Sequence, residues 1–411
     1  MNRSVLATSA SPPPATAEAT PATAAELLAR TRRLASQQLA PLATAIDRDG
    51  FYPDDCIRQL AAAGAMGAHL HSHGQPGDLG LGIRAIAEIA QVCGSTGFVA
   101  WCHAACGLYL EESGNPALQG ARLEAHVQGL SLGGTGFSNP IKSYAGIEPL
   151  LLKATPVADG YLLNGSLPWV SHLRPDGYCG VIARVTPAAQ QTGQADTPTP
   201  PQDLVVLLRA GAPGVELLSC PAFSGMEGTS TYAIRLRNHP IGADDLIAAD
   251  AGPFLQRIRP AFVLLQCGMG LGVVQGAIDS MRAVESRLGH VNRFLDDRPD
   301  ELQAELDSLN EKIQTLARPP RRDAPGPERL IGVLEARAAC SELSLRAAQS
   351  ALLHQGARGY LASSEVQRRV RESHFVAIVT PALKHLRKEI ARLREQQADP
   401  GAGAPPSPSL L

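Results

Sequence analysis

Apolar residues follow a helical spacing at both ends of the chain and a strand-like spacing in its middle. In the first part, residues 27–42 carry leucines on one face of an amphipathic segment, and residues 83–110 form a long, mostly apolar stretch. Because residues three or four positions apart share a helix face, both segments are predicted to be helical. The longer helix is apolar on most sides, which indicates burial, and it is expected to break near Gly94.

Between residues 131 and 250, short apolar segments alternate with Gly, Pro and Asp. This pattern is typical of strands separated by turns, and it predicts an antiparallel β-domain. The predicted strands are residues 150–154, 161–163, 180–185, 204–208 and 232–236. Residues 187–201 are rich in Gln, Thr and Pro and are predicted to form an exposed loop between strands.

Helical spacing returns from Pro260, which suits the first turn of a helix, and Gly289 suits the end of that helix. Gly268, Gly272 and Gly276 recur every four residues, so one helix face carries almost no side chains. Either a neighbouring helix or a ligand must therefore pack very close to that face.

The next predicted helix has apolar residues at alternating steps of four and three, which form a continuous apolar seam. The seam residues are Leu302, Leu306, Leu309, Ile313 and Leu316. Such a seam could supply apolar contact between subunits. Further helices are predicted from Pro327 to about His354 and from Pro381 onward.

These patterns divide the chain into five parts. We expect an N-terminal helical domain at residues 23–130, a middle β-domain at residues 131–250 and a C-terminal helical domain at residues 251–395. Residues 1–22 and 396–411 are rich in small residues and proline and are expected to be disordered tails. The predicted fold class is α+β.

Composition is typical of a soluble globular protein. Apolar residues make up 44% of the chain and charged residues 18%, and the formal net charge of −2 gives no attraction to nucleic acid or to an anionic membrane. The N-terminus lacks the continuous apolar core of a signal peptide. The longest apolar run, residues 261–278, is interrupted by Gln266 and Gln275, which favours a buried helix over a membrane span. We therefore expect a cytoplasmic protein without nucleic-acid or membrane partners.

The eight cysteines are scattered and form no Cys-x-x-Cys pair. Cys102 and Cys106 are spaced by one helical turn, with His103 between them, but a second ligand pair at metal-site spacing is missing. We therefore expect the cysteines to be buried free thiols in a reducing compartment, and we predict no metal site.

The clearest chemical signal lies between Asp159 and Ser171. Asn164-Gly165 between apolar runs predicts a tight hairpin turn, because both residues tolerate positive φ. On a strand, Trp169 and Ser171 are two positions apart and therefore point to the same face. An aromatic wall beside a hydroxyl suits a flat, hydrogen-bonding ligand such as a flavin ring.

A second motif lies about twenty residues upstream, at residues 133–140, and ends in Ser138-Asn139-Pro140. Together, the two segments resemble the acyl-CoA dehydrogenase family of flavoproteins. In that family, a strand ending in Thr-Glu-Pro and a later Leu-Asn-Gly-Thr-x-x-Trp-Ile-Thr hairpin hold the isoalloxazine ring. Here Ser138-Asn139-Pro140 stands in for the first motif, with Asn139 in place of the Glu, and residues 163–171 stand in for the second.

The resemblance implies a fold with an N-terminal helical domain, a middle antiparallel β-domain and a C-terminal helical bundle. It also implies that FAD is the cofactor and that four residues bind its ring. These residues are Phe137, Ser138, Trp169 and Ser171.

The resemblance extends to the adenosine half of FAD. Family members carry a Gly-Gly-x-Gly-Tyr turn that approaches this half from a neighbouring subunit, and this chain keeps Gly356, Gly359 and Tyr360. Gln355 and Gly356 are therefore expected to bind the cofactor, unless the turn only ends a helix. Arg287 is either the counterpart of a phosphate-binding arginine or a solvated arginine near a helix end. A site shared between subunits implies a homotetramer or a homodimer.

The catalytic base of the family has no counterpart at either of its usual positions. In most members a Glu removes the α-proton of an acyl thioester, and counting from Arg371 places Thr380 at that position. Other members carry the Glu on the helix that begins here at Pro260, but residues 260–276 contain no carboxylate. A hydroxyl group cannot act as that base unaided.

Two histidines suggest a different chemistry. Some flavin-dependent monooxygenases share this fold, lack the Glu and use histidines near the flavin. His103, on a helix expected to face the site, and His374, close to the missing base, are therefore the candidate catalytic residues. The alternative is that His103 is a hydrogen-bonded helix residue and His374 a surface residue.

Three functions stay open at this point. The resemblance implies an FAD-dependent oxidoreductase that acts on an acyl-CoA or a related acyl substrate, with an electron-transfer partner. The first alternative is a flavin-dependent monooxygenase that uses O₂ and reduced FMN or FAD supplied by a reductase, since the chain carries no nicotinamide-binding GxGxxG motif in a βαβ unit. The second alternative is a flavin-binding homologue that has lost catalysis.

Overall fold

The computed structural model describes residues 23–71, 76–186, 202–318 and 326–398. The predicted tail at residues 1–22 and the predicted loop at residues 187–201 lie outside the described residues. The predicted C-terminal tail is corrected at its start, because residues 396–398 still belong to the last helix.

Helices make up the N-terminal part of the described chain. They are α1 (Ala24–Leu34), α2 (Ala43–Arg48), α3 (Asp54–Ala62), α4 (Leu79–Val92), α5 (Gly94–Glu111) and α6 (Ala121–Val127). The predicted break near Gly94 is confirmed, since the extended backbone of Cys93 separates α4 from α5. The Asp78 side chain caps α4 by accepting from Leu81 N–H at 2.9 Å, and the Glu372 carboxylate accepts from Gly94 N–H at 2.9 Å at the start of α5.

The middle of the chain forms one mixed sheet and a short helix. The elements are β1 (Gly133–Thr135), α7 (Ser138–Tyr144), β2 (Lys153–Val157), β3 (Gly160–Val170), β4 (Tyr178–Val185), β5 (Asp203–Arg209), β6 (Val215–Ser219), β7 (Tyr232–Ile241) and β8 (Leu246–Ala248). The strand order is β6-β7-β3-β2-β4-β5-β8, with β1 paired to β4. Each predicted strand overlaps an observed one, although β2 begins at Lys153 and not at residue 150. The β1–β4 and β2–β4 pairs are parallel, so the sheet is not purely antiparallel.

The predicted hairpin turn at Asn164-Gly165 is wrong. β3 continues through both residues. The chain instead reverses between Val157, where β2 ends, and Gly160, where β3 begins. Gly165 instead lies at a register shift between β3 and β7, with a φ of 129° that a glycine adopts without strain. A side chain could not replace its hydrogen, because a Cβ would lie 2.4 Å from the carbonyl oxygen of Leu151.

The sheet separates two hydrophobic cores because its side chains alternate between two faces. On β5, Val205 and Leu207 join the large core that the helices share. Leu204, Val206 and Leu208 point the other way, into a smaller core built from the strands and the segments next to them.

The C-terminal part contains five α-helices among the described residues. They are α8 (Ala251–Asn292), α9 (Pro299–Ala317), α10 (Pro327–Gln355), α11 (Glu365–Ile378) and α12 (Leu383–Ala398). The predicted ends of α8 are wrong: Pro260 and Gly289 lie inside the helix, which starts where Asp250 accepts from Gly252 N–H at 2.9 Å. Helix α8 is long and apolar enough to cross a membrane, but 89% of its most apolar window is buried inside the chain.

The glycine face of α8 packs against another helix. A Cβ on Gly268 would lie 2.6 Å from the carbonyl oxygen of Ile83, and one on Gly272 would lie 2.4 Å from that of Ala87. Both oxygens belong to α4, so a neighbouring helix rather than a ligand occupies this face.

The seam on α9 does not form a subunit surface. Leu302, Leu306 and Ile313 are buried against α8 and α10 of the same chain. The prediction that this seam contacts another subunit is therefore wrong, because the helix uses its apolar face to join its own core.

Candidate functional site

A cavity of about 1000 Å³ lies between the ends of β1, β3 and the segment before β7 on one side and α5, α8, α11 and α12 on the other. Its volume is at the upper end of the range for ligand and cofactor sites. It contains both motifs that the sequence analysis selected, so it is the candidate functional site.

The two motifs meet at the wall formed by the sheet. Thr135, at the end of β1, pairs with Ser171 in an isolated antiparallel bridge. Gly134 permits this close approach, because a Cβ at that position would lie 2.4 Å from the carbonyl oxygen of Ser171. Residues that are 36 positions apart along the chain thereby share one wall.

Trp169 and Ser171 both line the cavity, as predicted. The indole of Trp169 is 54% exposed, which is unusual for so large an apolar side chain. The Ser171 hydroxyl lies 2.7 Å from that of Thr231, which lies 2.8 Å from that of Thr229. Sequence reasoning missed both threonines, although three consecutive hydroxyl residues after Gly228 were a readable signal.

Ser138 and Phe137 have different positions. Ser138 begins α7 rather than ending a strand, lines the cavity, and places its hydroxyl 3.0 Å from that of Thr380. Phe137 is 1% exposed, stacks on Tyr109 at 4.3 Å between ring centroids, and does not line the cavity. Its ring therefore supports the wall from behind.

Thr380 is held in place by a buried arginine. The Gln266 side-chain amide donates to the Thr380 carbonyl at 2.9 Å, and Arg337 Nε donates to Gln266 Oε1 at 2.8 Å. Arg337 also donates to the Val376 carbonyl at 2.6 Å, near the C-terminus of α11, where helix carbonyls lack partners. Arg337 is fully buried, and this burial lowers the pKa of its guanidinium.

Aromatic side chains form the inner end of the cavity. Phe98 lies 5.7 Å from Trp101 and 4.6 Å from Phe375, measured between ring centroids. Phe262 meets Trp101 edge to face at 5.1 Å, and the indole N–H donates to the Phe262 carbonyl at 3.3 Å. The indole has no further donor, so this end offers a ligand aromatic contact only.

Among the described residues that line the cavity, Glu148 is the single carboxylate. Lys142 Nζ lies 2.8 Å from one of its oxygens, and the Asn139 side chain donates to the other at 2.8 Å. Thr380 occupies the position that the family resemblance gives to the base, and it offers only a hydroxyl. The cavity therefore presents no unpaired carboxylate among the described residues.

The two candidate histidines lie in different surroundings. His374 lines the cavity and is exposed. His103 is fully buried and does not line the cavity, although Trp101 on the same helix does. The expectation that His103 faces the site is corrected, because α5 is buried on every side and His103 points away from the cavity.

His103 belongs to a histidine cluster with His126 and His172. The rings of His103 and His126 stack at 3.7 Å between centroids, and His103 Nδ1 lies 3.5 Å from His172 Nε2. Tyr52 and Tyr178 bond the outer nitrogens of His172 and His126, each at 2.8 Å. Burial lowers the pKa of His103 to about 4 and lowers those of His126 and His172 further below the ordinary value. These rings are neutral at pH 7 and act as packed, hydrogen-bonded core residues.

The residues assigned to the adenosine half lie away from this cavity. Gln355 donates its side-chain amide to the Ser280 carbonyl at 2.8 Å, at the end of α10. Gly356 follows it with a φ of 61° and open space around its α-carbon, and Arg287 is exposed on α8. Their role in binding a cofactor across subunits stays a prediction.

The side chains of the cavity fit a flavin. Hydroxyl groups, which both donate and accept, line the sheet wall and the gap between α7 and Thr380, and the edge of a flavin ring carries both donors and acceptors. The exposed indole of Trp169 provides a flat apolar face beside them. Among the described residues, no cluster of His, Cys, Asp or Glu could hold a metal ion.

Comparison with known proteins supports this picture. Residues 21–129 match the family model of the acyl-CoA dehydrogenase N-terminal domain. The probable acyl-CoA dehydrogenase YngJ of Bacillus subtilis is 23% identical over 87% of this chain and 94% of its own length. The predicted resemblance to acyl-CoA dehydrogenases is confirmed by these matches.

Solved structures share the whole architecture. Butyryl-CoA dehydrogenase from Megasphaera elsdenii superimposes with a TM-score of 0.76 at 17% identity, covering 90% of this chain and 97% of that one. The dibenzothiophene monooxygenase of Paenibacillus sp. A11-2 gives a TM-score of 0.74 at 16% identity, covering 93% and 99%. Dehydrogenases and a monooxygenase thus share this arrangement of helices and sheet.

Proposed function

We propose that this chain, which has the acyl-CoA dehydrogenase fold, is a flavin-dependent oxidoreductase whose cofactor ring lies in the cavity beside Trp169. Ser171, Thr231 and Ser138 are proposed to bond the polar edge of the ring, and the Trp169 indole to cover one face. Gln355 and Gly356 are proposed to contact the adenosine half when a second copy of the chain is present. FAD and FMN carry the same ring, so the proposed contacts inside the cavity do not distinguish them.

We propose oxygenation as the reaction. The observation that carries this proposal is the lack of an unpaired carboxylate among the described residues that line the cavity. Without that base, the cavity has no group suited to remove the α-proton of a thioester. A monooxygenase does not need that step.

When bound, the reduced flavin would supply two electrons, so that one atom of O₂ enters the substrate and the other leaves as water with two protons. The imidazole of His374 is exposed to the cavity and is suited to donate or accept a proton at the reacting group. Thr380 and Ser138 present a pair of hydroxyls whose remaining donor can meet an oxygen atom. A separate reductase is the proposed source of reduced flavin.

The inner end of the cavity indicates the kind of substrate. Phe98, Trp101, Phe262 and Phe375 favour a flat apolar or aromatic group, because aromatic rings stack or meet edge to face at these distances. The related Paenibacillus monooxygenase has been crystallised with FMN and indole. Indole and dibenzothiophene are therefore suitable first substrates to test.

Dehydrogenation of an acyl thioester is the second candidate. Glu148 lines the cavity, and it could act as a displaced base if Lys142 released it. The curated relatives, which include the probable dehydrogenase of Bacillus subtilis, favour this reading. If dehydrogenation is the reaction, the mutation Glu148→Gln would abolish it, because an amide cannot accept the α-proton.

Two measurements distinguish the candidates. Anaerobic mixing of the flavin-loaded protein with a panel of acyl-CoAs bleaches the flavin absorbance if the protein is a dehydrogenase. Chemically reduced flavin, O₂ and indole give a product that is heavier by one oxygen atom if it is a monooxygenase. Bleaching by a thioester together with no oxygenated product would refute the first proposal. A protein that binds flavin but gives neither result with these substrates would favour the third candidate, a flavin-binding homologue without catalysis.

A further inference from the structure

One buried histidine at the edge of the cavity has no hydrogen-bond partner. His385 lies in the first turn of α12 and is 4% exposed, and neither of its ring nitrogens has a partner among the described residues. An unsatisfied buried polar group costs about 1–3 kcal/mol. Folded proteins seldom leave such a group without a role.

His385 lines the cavity, and so do Lys142, Glu148 and Lys384. Helices α7 and α12 face each other here, because Lys388 Nζ donates to the Ala145 carbonyl at 2.7 Å. The cavity therefore has a polar end that is distinct in composition from its aromatic end.

The charges at this end are unbalanced. Burial lowers the pKa of His385, and the positive charges of Lys384, Lys142 and Lys388 lower it further, while Glu148 opposes them. Three positive ammonium groups and only one negative carboxylate thus influence this imidazole. Lys384 also lies at the N-terminus of a sixteen-residue helix, where the helix dipole favours an anion over a cation.

We propose that this end of the cavity is a subsite for an oxyanion of the substrate, a carboxylate or a phosphate. Such a group would accept a hydrogen bond from the unpartnered imidazole N–H of His385 and would lie next to the Lys384 ammonium. It would also offset the excess positive charge. The proposal concerns the substrate of the proposed oxidoreductase and therefore rests on the proposed function, but it holds for either reaction.

Two sources would supply this chemistry. An aromatic acid would place its ring at the aromatic end and its carboxylate at His385. A coenzyme A thioester would instead present a phosphate. Benzoate represents the first source, and adenosine 3′,5′-bisphosphate represents the phosphate-bearing end of the second.

Isothermal titration of the full-length protein with sodium benzoate and with adenosine 3′,5′-bisphosphate tests the proposal. The variants are His385→Leu, which removes the imidazole, and Lys384→Met, which removes an exposed charge without disturbing the core. Arg394→Met on the same helix is the matched control, because Arg394 pairs with Glu335 and does not line the cavity. We expect at least one probe to bind, and both test variants to weaken it by about tenfold or more, which corresponds to 1.4 kcal/mol.

The melting temperature separates a binding role from a structural one. His385 makes no hydrogen bond among the described residues, so the His385→Leu variant is expected to keep or raise the melting temperature. The same variant is expected to bind the anion more weakly. Benzoate binding alone would identify a carboxylate substrate, and bisphosphate binding alone a coenzyme A thioester; either result supports the subsite. If neither probe binds at millimolar concentration, or if both test variants bind like the wild type, the proposal is overturned.

Flavin binding is measured on the same preparations by adding FMN or FAD. A protein that binds the probes but binds neither added flavin would refute the proposed oxidoreductase and leave the subsite standing. A protein that binds flavin but binds neither probe would refute the subsite and leave the proposed oxidoreductase standing.

Discussion

Replacing Trp169 with alanine tests the flavin site with little disturbance of the fold. The side chain lies at the end of β3 and is 54% exposed, so little of its surface contributes to the core. Substitutions of exposed residues usually change the free energy of unfolding by less than about 0.5 kcal/mol. A loss of flavin in this variant would therefore report on binding and not on folding.

The expected loss follows from the exposed area. A tryptophan can bury up to about 250 Å², so the exposed 54% of the residue corresponds to about 135 Å². A flat cofactor covers about half of that area, which at about 25 cal/mol per Å² amounts to about 1.7 kcal/mol. Since 1.4 kcal/mol is a factor of ten, the Kd for flavin should rise about 15-fold.

The assay is a fluorescence titration of flavin-free protein with FMN and, separately, with FAD. Trp169→Phe keeps a ring at this position and should recover most of the affinity. Phe51→Ala is the matched control, since Phe51 is also an exposed aromatic residue but does not line the cavity. A Kd for Trp169→Ala within twofold of the wild-type value for both flavins would refute the placement of the ring beside Trp169.

Two further predictions concern the support of the site, and a third concerns the buried histidine cluster. Arg337→Met leaves Gln266 Oε1 without its donor, so we expect the free energy of unfolding in urea to fall by about 3 kcal/mol. Flavin binding should weaken as well, and unchanged stability would contradict the prediction. Gly134→Ala forces a Cβ against the Ser171 carbonyl, so it should lower the free energy of unfolding by about 1–3 kcal/mol and weaken flavin binding. The control Gly242→Ala places its Cβ in open space and should change neither stability nor flavin binding. The histidine cluster is neutral in the folded chain, where burial lowers the pKa of His103 from 6.5 to about 4. As the pH falls below 6.5, the unfolded chain therefore binds protons at a higher pH than the folded chain does. Stability measured in urea should therefore be level above pH 6.5 and fall as the pH drops from 6.5 towards 4; a level profile down to pH 4.5 would disprove the linkage.

Much of the architecture could be predicted from local patterns. Helical and strand-like spacing lay in the right order along the chain, and the break at Gly94 was visible because a glycine follows a helical run. The turn at Asn164-Gly165 was mispredicted, since the same two residues that favour a turn also permit a bulge inside a continuous strand. Local sequence does not distinguish these outcomes; the pairing of β3 with β7 does.

Part of the candidate site was also within reach of local sequence. Trp169 and Ser171 are neighbours on one strand face, and their common wall follows from the period of two. Thr231 joins that wall from a segment sixty residues away, so only the fold could bring it there. His103 was misplaced because α5 is apolar on every side, and such a helix carries no polar face to show which side meets the cavity.

The sequence by itself determined which segments form helices and strands, that their order resembles acyl-CoA dehydrogenases, and that Thr380 stands where a carboxylate was expected. These properties depend on residue type and short spacing. Only the tertiary structure decided that Arg337 supports Thr380, that His385 lies unpartnered among lysines, and that Glu148 is the cavity's single carboxylate among the described residues. Each of these facts depends on contacts between distant segments, and the energy of a buried charge or polar group is set by what surrounds it in space.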